Sequence, residues 1–388
     1  MVIAYVDRTS LSVAIAIPEF RNYFGFSDSQ RGLMNSAFFW SYALLQIPAG
    51  WLVDRMGVKY PYALSFVFWS VVAAATGFAQ SLSQLFTLRL LLGAGEAVVA
   101  PASLRWIRMN VDESQRGLAM GIYMAGTKIG PAIGFPIAAA LIAYYGWRSM
   151  FLLSAIVSMV WLIPWLLLVP QDDARQPAGR PSSKQTETAF WTIMKSPVIW
   201  AIIFGTFSYS CYLYFCLTWL PAYFKEHRNL PLQLMGLYTM FSFSGMAVTT
   251  IASGWAADRL IARGADAVMI RKRFTVAGMT LAATEVFGAT ANSAEVALFF
   301  AVFSLAGLGV ATANYWALTQ SVVPSAAIGR IGGVQNTASN LAGVAAPILT
   351  GWLIQTTGSY EAPMQAIAVL LLLGAGSYAA FVKRTVTA

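Results

Sequence analysis

The sequence predicts an all-α membrane protein with twelve transmembrane helices in two pseudo-symmetric six-helix bundles. Of the 388 residues, 58% are hydrophobic and only 11% are charged, whereas soluble domains carry roughly a quarter charged residues. Apolar runs long enough to cross a bilayer recur along the chain, separated by short segments that hold most of the charges. Because these runs do not alternate polar and apolar residues, they are typical of membrane helices and exclude a barrel.

Twelve runs have about the 17 to 25 residues that a transmembrane helix needs. The predicted helices cover residues 1–18, 32–53, 60–79, 84–105, 117–143, 149–169, 198–222, 233–256, 274–291, 294–318, 328–354 and 363–382. The first run barely crosses a hydrocarbon core of ~30 Å, and only six residues precede its charged pair, Asp7 and Arg8. We therefore expect the first helix to be truncated.

A long polar segment, PQDDARQPAGRPSSKQTETAFWTIMKS, divides the runs into six and six. We therefore predict an N-terminal bundle at 1–169, a cytoplasmic linker at 170–196 and a C-terminal bundle at 197–388. Short matches relate the halves, since GWLVDRMG at 50–57 returns as GWAADRLIARG at 254–264. Four pairs of residues keep nearly one offset: Asp54 and Asp258 (204 residues), Trp106 and Trp316 (210), Arg116 and Arg330 (214), and Gly146 and Gly358 (212). Duplicated six-helix halves are typical of transporters, whose binding site lies near the midplane between the repeats.

The distribution of lysine and arginine predicts the orientation of the chain. With both termini in the cytoplasm, seventeen of the 25 basic residues fall in cytoplasmic segments and five in outer segments. The net charge of +9 is therefore a topology signal, and we expect a lipid bilayer rather than a nucleic acid as the large partner. The two cysteines, Cys211 and Cys216, lie in one helix and indicate packing rather than a disulfide or metal site.

Charges within the first helix point to a binding site. A charge in the bilayer is costly and persists where it faces a cavity or a partner. Tyr5 and Ser12 share the helix face of Arg8, at spacings of three and four residues. This stripe suits a carboxylate ligand, with a two-point contact from Arg8 and a hydroxyl from Tyr5. Asp7 would point toward a neighbouring helix, and a structural ion pair between Asp7 and Arg8 is the alternative.

The fourth helix is expected to hold the partner of this pair. Arg89 and Glu96 are seven residues apart, so they lie on one helix face with about 10 Å between them. Two opposite charges on one buried face can exchange partners. A purely structural pairing of Arg89 with Glu96 is the alternative.

The stretch GWLVDRMGVK resembles the G-x-L-x-D-R-x-G-R/K signature of the major facilitator superfamily, and the segment 254–264 is its degenerate copy. The resemblance implies the major facilitator fold and a gating role for Gly50, Asp54, Arg55, Gly57, Asp258 and Arg259. Gly50 and Gly57 permit a tight turn and close helix packing, while Asp54 can accept from a helix end and from basic groups of the adjoining domain.

Further stretches resemble the anion:cation symporter branch of that superfamily: YVDRTSLSVA, SYALLQIPAGWLVDR, LRLLLGAGEA, YGWRSMF and NTASNLAGVAAPI. In that branch the equivalents of Asp7, Arg89 and Glu96 couple transport to protons, and the equivalent of Arg8 binds the substrate anion. The resemblance implies a substrate-binding asparagine at Asn336, with Asn340 as the alternative.

Four positions in other helices complete the candidate site. Trp316 lies in an apolar run of the tenth helix, and Asn336 and Asn340 are one turn apart in the eleventh. Buried amides need partners, which a polyhydroxylated substrate or a neighbouring helix would supply. Lys128, in the fifth helix, either forms a second anion contact, which favours a dicarboxylate or phosphorylated substrate, or pairs with an acid. No role is assigned to the buried Glu285.

Together these features predict a proton-coupled importer of a small organic anion, above all a sugar acid such as an aldonate or hexuronate. We expect a monomer in the bacterial inner membrane, with both termini cytoplasmic, without cofactor, metal or enzymatic activity. An exchanger is an alternative, because GIYMAGTKIGPAIGFP is close to the glycine-proline pattern of exchangers in the superfamily. Two further functions stay open, namely import of an aromatic or dicarboxylic acid and a membrane sensor that does not transport its ligand.

Overall fold

The computed structural model describes residues 1–112, 115–170, 191, 193–324 and 327–382, and every regular element within them is helical. The first half contains α1 (Val2–Ile15), α2 (Pro18–Phe24), α3 (Asp28–Met56), α4 (Lys59–Thr76), α5 (Leu82–Glu96), α6 (Val99–Asn110), α7 (Arg116–Met159) and α8 (Leu162–Leu168). The second half contains α9 (Pro197–Ala222), a π-helical turn (Tyr223–His227), α10 (Leu232–Ala262), α11 (Ala267–Ala282), α12 (Glu285–Ala289), α13 (Ala294–Val322), α14 (Ile328–Thr357) and α15 (Glu361–Phe381). Most of the predicted linker lies outside the described residues.

Each of the twelve predicted runs falls on helical structure, and seven helical stretches of the described chain are long and apolar enough to cross a membrane. One of these, Ala119–Leu168, contains two predicted runs in 50 residues. They join at Gly146, whose φ of 78° and ψ of 165° bend α7 sharply. The predicted boundary between these two runs is therefore a bend rather than a loop.

Three predicted runs are interrupted, and one of them, 149–169, divides into α7 and α8 at 160–161. The run 84–105 divides into α5 and α6 around Ala97, because Pro101 has no N–H for the carbonyl of Ala97 and its ring crowds that carbonyl. The run 274–291 divides into α11 and α12 at Ala283 and Thr284. Nothing in the structure explains this last break.

Turn and cap positions repeat between the halves. Positive φ angles occur at Gly25 and Asn229, at Gly57 and Gly264, and at Gly146 and Gly358, which are pairs 204, 207 and 212 residues apart. The N-caps Ser81 of α5 and Ser293 of α13 are also 212 residues apart, and each accepts a hydrogen bond from the third helical residue. Because caps and left-handed turns fix where helices end, the pseudo-symmetry extends to the backbone.

Contacts divide the chain into two compact units. One comprises Met1–Ala178 with Leu217–Met240, and the other comprises Gly179–Cys216 with Phe241–Ala388. In the first unit, α1 packs closely against the glycine-rich start of α7, where a Cβ added at Gly130 would lie 2.5 Å from the Cβ of Tyr5. In the same unit a Cβ at Gly93 of α5 would overlap the carbonyl oxygen of Phe38 in α3. These two close approaches position the charged side chains of α1 and α5.

Candidate functional site

The centre of the site is an ion pair between α1 and α5. The Nε atom of Arg8 donates to Oε2 of Glu96 at 2.7 Å. The side chain of Glu96 is 0% exposed and that of Arg8 is 10% exposed. The cost of removing both charges from water offsets much of their attraction, but loss of one partner strips the other of its hydrogen bond in a poorly hydrated place.

Three aromatic rings surround the guanidinium of Arg8. Its central carbon lies 4.6 Å from the ring centre of Tyr5, 4.5 Å from that of Phe38 and 4.7 Å from that of Tyr42. We call these three residues the aromatic cage. Cation–π contacts of this kind hold a guanidinium in place and replace part of its hydration. Tyr5 places its ring beside the guanidinium, and the hydroxyl contact with a ligand that the sequence predicted stays a prediction.

A second pair of charges lies beside the first. Asp7 and Arg89 are both buried, and each interacts electrostatically with the other and with Glu96. The site therefore contains two carboxylates and two guanidinium groups, whose formal charges cancel. The ion pair itself forms between Arg8 and Glu96, so the partner of the charged pair in α1 lies in the helix where the sequence expected it.

Each of the four charged groups keeps one buried atom without a hydrogen-bond partner among the described residues. These atoms are Oδ2 of Asp7, Nη2 of Arg8, Nε of Arg89 and Oε1 of Glu96. Such atoms are rare in folded proteins and mark positions for a proton, a water or a ligand. The geometry thus provides both a cationic contact for an anion and two carboxylates that can accept protons.

Lys128 lies in α7, on the helix that packs against α1. It is 7% exposed, and no hydrogen bond, ion pair or electrostatic partner of its ammonium occurs within the described part of the chain. A pairing acid, one of the two roles that the sequence left open, is therefore missing from the described residues. Contact with an anion, the other role, stays a prediction.

The second unit supplies neutral polar groups. Trp316 is half-buried, with its ring 5.6 Å from that of Tyr315, and Asn336 is also half-buried. Asn340 is buried and forms no hydrogen bond with the described residues. Gln335 is fully buried and donates to Oγ1 of Thr206 at 2.9 Å.

Sequence reasoning selected Asn336 and missed Gln335, whose Oε1 is buried without a partner in the described chain. Because successive side chains of a helix point about 100° apart, Gln335 faces a different direction from Asn336. The serines and threonines of α9 could have pointed to Gln335. Thr206 and Ser210 both form hydrogen bonds with residues of α14.

The two copies of the gating motif have the same local chemistry. Asp54 accepts from Nη1 of Arg105 at 3.0 Å, and Asp258 accepts from Nη2 of Arg271 at 2.7 Å. Each aspartate is thus paired within its own unit. The expected contacts of Asp54 with a helix end and with basic groups of the adjoining domain stay a prediction.

The other motif positions are also placed. Arg55 and Arg259 lie over the rings of Trp51 and Trp255, at 5.0 and 5.3 Å. Gly57 has a φ of 78°, which side chains other than glycine rarely adopt. A Cβ at Gly50 would lie 3.8 Å from that of Pro101, which is ordinary packing distance.

Glu285 belongs to a separate polar cluster in the second unit. Its Oε2 accepts from Ser304 at 2.5 Å and from Tyr212 at 3.3 Å. Apolar side chains of α9 and α15, among them Phe215 and Leu371, surround this cluster. No group of three or more metal-binding side chains occurs among the described residues.

Comparison with known proteins agrees with this architecture. The sequence profile of the Major Facilitator Superfamily matches residues 1–347. The D-galactonate transporter of Escherichia coli O6:H1 is 28% identical over 97% of this chain and 92% of its own length. The probable sulfoacetate transporter SauU of Cupriavidus necator is 32% identical over 96% and 89%. These relatives are transporters rather than enzymes.

Solved structures show the same fold. The crystal structure of a bacterial homolog of the human lysosomal transporter Spinster superposes with a TM-score of 0.81 at 17% identity, covering 97% of this chain and 93% of that one. The predicted all-α transporter fold of two related six-helix halves is thereby confirmed, as is the resemblance to bacterial sugar-acid transporters.

Proposed function

Because the chain belongs to the Major Facilitator Superfamily, we propose that it imports a small organic anion together with protons, by alternating access. The observation that supports this most is the bond from Nε of Arg8 to Glu96, while Nη2 of the same guanidinium has no partner among the described residues. A sugar acid such as an aldonate or hexuronate is the leading substrate, since a relative is named for D-galactonate.

Glu96 and the substrate compete for Arg8. While Glu96 is ionised, its carboxylate neutralises the guanidinium and the substrate anion gains little by approaching. Protonation of Glu96 removes that charge, so Arg8 becomes an uncompensated cation in a poorly hydrated site and attracts the anion strongly. The aromatic cage keeps the guanidinium in place during this exchange, so the substrate meets a preorganised contact.

Asp7 and Arg89 extend the same exchange. Asp7 interacts with Glu96 as one acid with another and with Arg89 as its counter-charge. Loss of the charge on one carboxylate therefore changes the energy of protonating the other, as in other coupled pairs. Binding of substrate and proton would favour closure over the site, and proton release inside would return Glu96 to Arg8 and expel the anion.

The second half provides contacts for hydroxyl groups. Trp316, Asn336 and Asn340 are the proposed contacts, and we add Gln335 because its Oε1 has no partner among the described residues. A polyhydroxylated acid would satisfy such groups, whereas a site built to bind hydroxyls discriminates against an analogue that lacks them.

A second substrate class is a doubly charged acid. It is favoured by Lys128, a buried cation with no counter-charge in the described chain. A dicarboxylate or a sulfonated acid would bring a second negative group, and one relative is named for sulfoacetate. Exchange of one anion for another is the alternative to proton symport.

We place the protein in the bacterial inner membrane as a monomer with cytoplasmic termini, and the motif residues Asp54 and Asp258 at the cytoplasmic gate. A cysteine introduced at 175–185 tests this orientation, since only a cytoplasmic reagent is expected to label it. Labelling from outside intact cells would reverse the topology and the direction of transport.

Proteoliposomes test the transport activity. With an acidic exterior, uptake of labelled galactonate or of a hexuronate is expected to exceed the equilibrium level and to collapse when a protonophore is added. Uptake that ignores the pH gradient but requires an internal anion would favour the exchanger. Absence of any uptake or counterflow across sugar acids, dicarboxylates and sulfonates would contradict transport of organic anions.

A further inference from the structure

A fully buried arginine lies at the start of α3. The side chain of Arg31 is 0% exposed, although it occupies the short segment between two predicted membrane helices. Its Nη1 donates to Oδ1 of Asp28 at 2.7 Å, and its Nη2 donates to Oε1 of Glu226 at 2.6 Å. Its central carbon lies 4.9 Å from the ring centre of Trp219. Such complete desolvation of a charge requires a strong and specific partner.

Glu226 provides that partner from a distant part of the sequence. Both carboxylate oxygens accept from Arg31, the second at 3.1 Å, in the two-point geometry that is strongest for arginine. The same carboxylate also pairs with Arg21 of α2 at 3.2 Å. We call Arg21, Asp28, Arg31, Trp219 and Glu226 the outer cluster.

The outer cluster ties a segment of the second half to the first unit. Leu217–Met240 packs within that unit, although the residues that precede and follow it belong to the other. Glu226 lies in the π-helical turn Tyr223–His227, which directly continues α9. A π-helical turn is uncommon and frequently marks a functional position. Part of the segment packs tightly on α7, where a Cβ added at Gly236 would lie 2.9 Å from that of Ala139. The charged contacts add to this packing at the place where the regular helix ends.

The sequence repeat does not reproduce these contacts. The offset of 204 residues between Gly25 and Asn229 places Met235 at the position equivalent to Arg31, and Asn22 at the position equivalent to Glu226. Since neither equivalent is charged, the outer cluster is not a by-product of the duplication. An ion pair that occurs in only one of the two repeats fits a role in only one step of the transport cycle.

We propose that the pair Arg31–Glu226 closes the outer gate of the transporter, and that it must separate before substrate enters from outside. The proposal rests on the proposed function, which gives the direction of entry. It also rests on the distribution of lysine and arginine, which indicates which side is outside. Breaking the pair exposes both charges to water, which repays part of the lost attraction, so the gate can open without an uncompensated buried charge. Removing one partner instead abolishes the two-point contact and leaves Arg31 only with Asp28, or Glu226 only with Arg21, which weakens the closed state.

Thiol accessibility tests this proposal. Ala222 is fully buried and lies one turn before Glu226 on the same helix face, so Ala222→Cys places a small reporter beneath the pair. Asn35→Cys, one turn after Arg31, is the second reporter. Both are made after replacing the buried Cys211 and Cys216, and a charged thiol reagent is added to intact cells.

We expect both reporters to react slowly in the parent protein and at least tenfold faster when Glu226→Gln or Arg31→Gln is added. Glu226→Asp, which keeps the charge, is expected to give an intermediate rate. Glu19→Gln is the matched control, because Glu19 is exposed near the same end and forms no contact with the described residues. Its rate is expected to equal that of the parent.

Equal rates in the parent and in Glu226→Gln would overturn the proposal, as would rapid labelling of both reporters in the parent. Labelling only from the cytoplasmic side would move the gate to the other face and overturn the outer assignment. Thermal unfolding of the purified variants confirms that a faster rate reflects gate opening rather than loss of the fold. Because labelling requires neither substrate nor a proton gradient, its outcome is independent of the transport assay.

Discussion

Nε of Arg8 donates a hydrogen bond to Glu96 at 2.7 Å, although 88 residues separate the two in sequence. Nη2 of the same guanidinium has no hydrogen-bond partner among the described residues. One side chain is thus half occupied by the protein and half available to a ligand. Under the proposed mechanism, the same arginine binds an anion in one state and is neutralised by Glu96 in the other. In that mechanism Arg8 and Glu96 act together, because the charge state of Glu96 decides whether Arg8 is available.

The fork of the guanidinium is predicted to be necessary at position 8. Arg8→Lys keeps the positive charge but loses the two-point contact and the flat face that the aromatic cage surrounds. We expect the affinity for the substrate to fall at least about tenfold, or about 1.4 kcal/mol. Isothermal titration of the purified protein measures this, with the exposed Arg108→Lys as the control. Unchanged affinity in Arg8→Lys would assign Arg8 a structural role.

The aromatic cage is predicted to act through its rings. Phe38→Leu and Tyr42→Leu each remove one cation–π contact, of about 0.5 to 2 kcal/mol, and should weaken substrate binding accordingly. Tyr42→Phe retains the ring and should bind like the parent protein. If Tyr42→Phe is as weak as Tyr42→Leu, the hydroxyl of Tyr42 and not its ring contacts the substrate. The exposed Phe78→Leu controls for loss of an aromatic residue elsewhere.

Lys128 is predicted to distinguish substrates by charge. Lys128→Met keeps the length of the side chain and removes its charge, so it should weaken binding of a dicarboxylate or of sulfoacetate at least about tenfold, with little effect on galactonate. Lys128→Arg should retain binding of the doubly charged acids. Competition binding with the two classes of acid measures the difference. An equal loss for both classes would exclude a second anionic contact.

The close packing of α1 on α7 is predicted to be a condition for the site. Gly130→Ala places a Cβ 2.5 Å from that of Tyr5 and 2.9 Å from a backbone oxygen of Val2, which overpacks the interface by about 1 to 3 kcal/mol. Gly121→Ala lies in the same helix with no atom within 4 Å, so it controls for the gain in helix propensity. Thermal unfolding should give a lower Tm for Gly130→Ala than for Gly121→Ala. Equal Tm values would mean that α1 moves aside without cost.

The sequence predicted the helices well because each run is long and uniformly apolar. It predicted the repeat from matching residues. The structure adds a backbone match, since Gly146 and Gly358 both have a positive φ. The break at Ala97 was missed, although Pro101 signals it four residues later. Pro101 interrupts the helix even though the run is continuously hydrophobic, because a proline removes one backbone hydrogen bond and clashes with the preceding turn.

The pairing within the site was harder to predict. Helical periodicity relates residues of one helix, such as Arg89 and Glu96, but says nothing of which neighbouring helix approaches most closely. That depends on local contacts, such as the approach of Phe38 to Gly93, which brings α3 and α5 together. Phe38 and Tyr42 are one turn apart in α3, and only the tertiary structure places them around Arg8.

The central claim is that Glu96, with Asp7, carries the proton that drives accumulation. Glu96→Gln fixes a neutral side chain that leaves Arg8 free for the substrate but cannot release a proton, and Asp7→Asn acts likewise. In proteoliposomes both variants are expected to exchange substrate in counterflow at rates near that of the parent, yet to show no uphill uptake when the exterior is acidic. Accumulation by both variants up to the gradient of the parent protein would contradict the claim, and the coupled proton would then lie elsewhere or transport would be anion exchange.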